Sequence, residues 1–203
     1  MIEHTPDQVL ASLRADDASA LARLRDRLAD EADRANLLDV AYRTLDTPVG
    51  PLLLAATPAG LVRVAYAREG HDAVLQDLAD RISPRVLQAP RRLDSVARQL
   101  EEYFARTRTV FDAPLDLRLA SGFRREVLQH LREIAYGSTG SYAQVAAAAG
   151  SPRAVRAVGS ACARNPLPVV VPCHRVIRSD GALGDYVGGT EAKRTLLAME
   201  GAA

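Results

Sequence analysis

The 203-residue sequence predicts an α+β protein in which a small α/β domain precedes a mainly helical one. Three observations carry this expectation. Short β-rich runs broken by TPVG and TPAG turn signals crowd residues 39–67, helical periodicity dominates the chain after residue 119, and the charge balance changes at the same place. A content of 48% hydrophobic and 25% charged residues is that of an ordinary globular chain with a sizeable core.

Taken in order, residues 7–37 place Leu10, Leu13, Leu21, Leu24 and Leu28 at helical spacings among dense alternating charges. One or two amphipathic helices are expected, and residues 1–38 form a helical N-terminal extension, either a packing appendage or a partner-docking arm. Residues 39–118 form the α/β domain. Its strand meander is followed by helical periodicity at 72–83 and 92–106, and a turn-rich stretch at 107–119 links it to residues 119–203. There a helix carrying Phe123, Val127, Leu128, Leu131 and Ile134 runs to Gly137. Ser141 is placed to cap a short helix ending at Gly150, and Ser151-Pro152 to cap a second one. Two short helices about a glycine turn make a helix-turn-helix, a weak signal alone because such hairpins are common.

Charge adds to it. Residues 1–119 carry 16 Lys+Arg against 19 Asp+Glu, whereas residues 120–178 carry 8 arginines against 2 acids, a footprint that a nucleic-acid-facing surface and solvated helices both produce. No run of apolar residues is long enough for a membrane span, and the N-terminus lacks a secretory pattern, so a cytoplasmic protein without membrane partners is expected. Four scattered histidines and two cysteines in no ligand spacing predict no metal, and no phosphate-loop or dinucleotide motif predicts a cofactor. Cys162 and Cys173 are both expected reduced.

The chemistry concentrates in residues 165–189, NPLPVVVPCHRVIRSDGALGDYVGG. Val169, Val170 and Val171 read as a buried strand that delivers the chain to Pro172-Cys173-His174-Arg175. A thiol must ionise to attack carbon, and an adjacent imidazole, a nearby guanidinium and a helix start each favour the anion. The expectation is an ionisable, solvent-reachable nucleophile. Cys162 lacks such neighbours and reads as a small apolar filler.

Residues 140–201, with SY, RAVG, NP, PCHRV and a downstream glycine-rich loop, closely resemble the active-site domain of the O6-alkylguanine-DNA alkyltransferases. The meander resembles the family's variable N-terminal domain more loosely. The resemblance implies an RNase H-like first domain and a single-use transferase that needs no cofactor. It moves an alkyl group from O6-alkylguanine, and in some cases O4-alkylthymine, in double-stranded DNA onto its own cysteine. By the same resemblance Cys173 is the acceptor, His174 deprotonates it through a water, Glu200 orients the imidazole, and Asn165 braces the preceding turn. Arg156 matches an arginine that fills the gap left by a flipped base, and Tyr142 a tyrosine that crowds the flanking phosphate. Ala157, Gly159 and Ser160 match a helix face small enough for the minor groove, and Tyr142, Val176, Tyr186, Val187 and Gly188 match the base pocket. Val187 departs from the serine often found there. A monomer is expected. Two alternatives belong to different classes: a non-catalytic alkylated-base sensor of this fold and an alkylation-responsive regulator. The first commonly carries tryptophan in place of the cysteine, and this chain has no tryptophan; the second needs a metal-bound sensor domain for which residues 1–38 supply no cysteine.

Overall fold

In the computed structural model, residues 6–202 are described, with side chains from residue 19 onward. A long helix α1 (Pro6–Arg34) leads into an antiparallel meander, β1 (Val40–Leu45), β2 (Leu52–Thr57) and β3 (Gly60–Tyr66). Helix α2 (His71–Arg81) then crosses back to β4 (Val86–Gln88), which pairs in parallel with β1 and completes the sheet order β3-β2-β1-β4. The meander, α2 and the helix that follows β4, α3 (Asp94–Phe104), stand where the sequence placed them. The short β4 was not legible, because three residues carry too little pattern to separate a strand from a loop.

Strand alternation divides the sheet's side chains between two faces. Leu53, Ala55, Val62 and Ala65 meet Val74 and Leu78 of α2. Leu52, Leu54, Val64 and Tyr66 instead join a large core shared with α3 and the C-terminal helices, so the two domains bury one continuous apolar interface. The linker is fastened to the sheet. Leu61 N donates to Pro114 O and Asp116 N to Leu61 O, both at 2.8 Å, and Thr57 Oγ1 donates to Asp116 Oδ2 at 2.6 Å.

The C-terminal half contains α4 (Gly122–Leu131), α5 (Tyr142–Ala148), α6 (Val155–Ala163) and α7 (Thr190–Glu200), with β5 (Gly140–Ser141) paired in parallel to β6 (Val176–Ile177). Helix α4 stops at Leu131, six residues before Gly137, and turns carry the chain on. Ser141 caps α5 as expected: its Oγ accepts from Gln144 N at 3.1 Å while Ser141 N donates to Gln144 Oε1 at 2.7 Å, a reciprocal capping box. Ser151-Pro152 does not cap α6. Ala154 N closes a turn on Ser151 O at 2.8 Å, and the helix begins only at Val155.

Two further expectations are corrected. Val169–Val171 is not a strand. Val169 adopts φ 73°, and Val171 N donates to Leu167 O at 2.7 Å, so the run is a tight buried turn. Hydrophobicity correctly marked burial but could not mark conformation. On α1 the leucines at helical spacing do not pack on this chain's own core: Leu21, Leu24 and Leu28 are exposed, whereas Ala29 and Ala32 pack on it. Small residues permit close approach there, and the pairs Arg91–Asp30 (3.3 Å) and Arg92–Asp33 (3.0 Å) hold the helix laterally. Leu10 and Leu13 lie outside the residues with described side chains.

Candidate active site

The turn that carries Cys173 is built around Asn165, a fully buried amide at the end of α6. Its Nδ2 donates to Val171 O at 2.8 Å and to Cys173 Sγ at 3.1 Å, while its Oδ1 accepts from Leu167 N at 2.9 Å. One side chain thus satisfies two backbone groups of the turn and touches the sulfur. It replaces the strand ladder that Val169–Val171 lacks.

Cys173 opens a single 3-10 turn, Cys173–Arg175, that buries all three side chains. His174 Nε2 donates to Glu200 Oε1 at 2.9 Å, and its Nδ1 is buried with no hydrogen-bond partner among the described residues. Glu200, at the end of α7, is the hub. Oε1 also accepts from Tyr103 Oη at 2.5 Å and from Arg175 Nη2 at 3.0 Å, and Oε2 accepts from Arg175 Nε at 2.8 Å. Burial alone would raise the Glu200 carboxyl, but the hydrogen bonds from His174 and Arg175 outweigh it and bring it down to about 2. Glu200 is therefore ionised. Burial holds the imidazole below its ordinary value despite the carboxylate, so His174 rests neutral with Nδ1 as a free acceptor.

The thiol differs from the expectation. Cys173 is 2% exposed, and burial pushes it up to about 11 against the opposing pull of the Asn165 amide and Lys193. Arg175, expected to favour the thiolate, is committed to Glu200 instead. The resting sulfur is therefore a protonated, enclosed thiol rather than a solvent-reachable anion. Clefts of about 250 and 320 Å³ flank the turn, lined among others by Asn165 and Val187 and by Pro172 and Arg175 respectively, but neither includes Cys173.

The remaining residues fall into two groups. The first comprises Tyr142, Val176, Tyr186, Val187 and Gly188. Val176 and Tyr186 are buried, the other three half-buried, and a charge on Cys173 is felt at Tyr142 and Tyr186. Gly184 adopts φ +67°, and a Cβ there would stand 2.7 Å from Tyr142 Oη, so the loop rests directly on that tyrosine. The second group lies on α6. Arg156 and Ala157 are exposed and Arg156 makes no ion pair among the described residues, while Ser160 receives the Arg164 guanidinium. Gly159 looks inward, with its Cβ direction meeting the Tyr142 ring at 3.9 Å.

Two family models match this chain, both of 6-O-methylguanine DNA methyltransferase: its ribonuclease-like domain over residues 40–117 and its DNA binding domain over residues 122–202. The chain belongs to the 6-O-methylguanine DNA methyltransferase family. A methylated-DNA–protein-cysteine methyltransferase of Mycolicibacterium paratuberculosis is 40% identical over 161 residues, covering 79% of this chain and 92% of the relative. The constitutive one of Bacillus subtilis is 40% identical over 163 residues, covering 78% and 94%. The crystal structure of the Mycobacterium tuberculosis O6-methylguanine methyltransferase superposes with a TM-score of 0.71 at 38% identity, covering 80% of this chain and 93% of that one. A structure of the same organism's protein in complex with DNA gives a TM-score of 0.70, covering 79% and 92%. Helix α1 lies outside both methyltransferase models.

Against this family membership, sequence reasoning missed three side chains at the site. Lys193 is wholly buried on α7, donating from Nζ to Val176 O at 2.6 Å and to Leu183 O. It stands seven residues before Glu200, two helical turns on one face, and that spacing was readable. Tyr103 reaches Glu200 from α3, 97 residues away in sequence. Tyr66 reaches the loop from β3 across 120 residues, and nothing local marked either tyrosine.

Proposed function

We propose that this chain repairs DNA by direct reversal, taking an alkyl group from O6-alkylguanine in a duplex and fixing it irreversibly on Cys173. The observation that carries the reading is the pairing of an ionised Glu200 with a neutral His174, the residue next to Cys173 in one turn, whose Nδ1 is left as an acceptor. The nucleophile is made on demand: the thiol proton passes to Nδ1, through one water as in the family, and Glu200 stabilises the imidazolium. Sulfur then attacks the alkyl carbon. The carbon–oxygen bond breaks as the carbon–sulfur bond forms, the electron pair returns to guanine, and guanine recovers the proton that the thiol gave up. A thioether has no reductive exit, so each molecule acts once.

A buried sulfur cannot reach O6 within a stacked duplex, so the base must leave the stack. Arg156, exposed on α6 and in no ion pair among the described residues, fills the vacated space, and the exposed Ala157 beside it keeps that face of the helix slim enough for the minor groove, whereas Gly159 faces Tyr142 and Ser160 is taken up by Arg164. The loop about Tyr186, Val187 and Gly188 opens to admit the base between Tyr142 and Val176. The protein works as a monomer on double-stranded DNA in the cytoplasm, at the nucleoid when bound. Among the described residues no helix is long and apolar enough to cross a membrane.

The test compares Cys173→Ser with Cys162→Ser on a duplex carrying O6-methylguanine labelled in its methyl group. Label should reach the wild type and Cys162→Ser and be absent from Cys173→Ser. Labelling of Cys173→Ser would assign the acceptor elsewhere.

A further inference from the structure

We infer that Tyr66, contributed by the N-terminal domain, is a specificity-determining residue of the alkyl-transfer site: it buttresses the Tyr186–Gly189 loop and so limits the size of the alkyl group that fits beside Cys173. The inference rests on the alkyl-transfer reading and adds to it a role for the first domain.

Tyr66 ends β3, and its position is fixed on two sides. Its backbone N donates to Glu69 Oε1 at 2.8 Å, with Glu69 itself paired to Arg63. Two residues earlier, Val64 N donates to Pro166 O at 2.8 Å, tying the strand to the turn that leads to Cys173. From this platform the Tyr66 hydroxyl lies 2.9 Å from the Tyr186 hydroxyl, and the two rings meet edge to face at 5.8 Å. Tyr186 in turn stands edge-on to the His174 ring at 6.2 Å, and a charge on Cys173 is felt at both tyrosines. The contact therefore connects the first domain to the reacting groups in two steps.

The glycines of the loop point the same way. Gly188 does not adopt a positive φ, so its backbone is open to any residue, yet a Cβ there would stand 2.5 Å from Tyr66 Cζ. Space taken by the Tyr66 ring, rather than chain geometry, requires glycine. Gly189 differs in that its φ of +88° already favours glycine, and a Cβ there would also run into the Arg68 guanidinium, two residues after Tyr66. The loop is pressed against a wall of the N-terminal domain, and a bulky alkyl group can be housed only if the loop moves into that wall. Removing the ring supplies the missing room.

The test measures single-turnover rates on duplexes bearing O6-methylguanine and O6-benzylguanine. Tyr66→Ala should raise the benzyl-to-methyl rate ratio by about fivefold or more, with Tyr66→Phe, which loses only the hydroxyl contact, rising less. Gly188→Ala should slow both substrates about tenfold, and Tyr66→Ala combined with Gly188→Ala should regain most of that loss, because the new methyl then has space. A Tyr66→Ala ratio equal to that of the wild type, or a double variant as slow as Gly188→Ala alone, would overturn the inference. If Tyr66→Ala does not fold, an unchanged ratio in Tyr66→Phe together with a full-speed Gly188→Ala overturns it equally. A wild type that transfers nothing from either duplex would refute the alkyl-transfer reading instead.

Discussion

At Glu200 one carboxylate accepts hydrogen bonds from His174, Arg175 and Tyr103 in a buried setting. Such a group couples stability to chemistry. Glu200→Gln leaves Arg175 buried without its counter-charge, which should cost about 3–5 kcal/mol, and the amide no longer stabilises the imidazolium. Thermal denaturation and single-turnover kinetics on the same variant should both fall; unchanged kinetics would show that the acid only braces the fold. The pH dependence follows from three groups. Glu200, depressed to about 2, contributes stability that is full above its unfolded value and is lost as pH falls through the acid range. His174, held low by burial, refuses a proton that the unfolded chain accepts, so acidification below about 6.5 also favours unfolding. Cys173, raised to about 11, stays protonated while the unfolded thiol ionises above about 8.5, so stability falls again on the alkaline side. The thermal midpoint should accordingly plateau between these limits, and a maximum at pH 5 or pH 10 would contradict the assignments.

Among the elements, the turn from Asn165 to Cys173 matters most to the site. Asn165→Ala removes three hydrogen bonds and strands two buried backbone groups, at an expected cost of about 2–4 kcal/mol, with a larger loss of transfer rate than of stability because the sulfur's position goes with them. Melting and transfer assays on the one variant separate the two effects. This turn also marks the boundary of what sequence could reveal. The meander, α2, α3 and the Ser141 cap follow from alternation, periodicity and side-chain capping, all of which act within a few residues. Val169 at φ 73° follows from Asn165 and the packing around it, and apolar residues alone carry no sign of it. Likewise Cys173, His174 and Glu200 stood out through a motif, whereas Tyr103 and Tyr66 enter through contacts between domains that no local pattern encodes. Helix α1 is the opposite case, a pattern that misled. Its leucines face outward, and its attachment rests on small residues and exposed ion pairs worth at most about 1 kcal/mol each. Deleting residues 1–34 should leave the transfer rate within about twofold of the full chain; a tenfold loss would place the arm in the reaction.

On the scale of the whole molecule, the two domains meet in one continuous core, with the enclosed thiol of Cys173 beneath a loop that both domains touch. Residues 120–178 carry 8 arginines against 2 acids, and α6 presents Arg156 outward. Arg156→Ala should therefore slow repair of a duplex about tenfold or more while leaving reaction with free O6-benzylguanine nearly unchanged, since only the duplex has a stack to be filled. Equal losses on both substrates would argue against insertion into the helix. The most direct test of the central claim is peptide-resolved mass spectrometry after incubation with an O6-methylguanine duplex. One methyl group in place of one proton, on the peptide bearing Cys173 and at no more than one per protein molecule, is the predicted result. An unmodified Cys173 peptide accompanied by loss of O6-methylguanine from the DNA would contradict it.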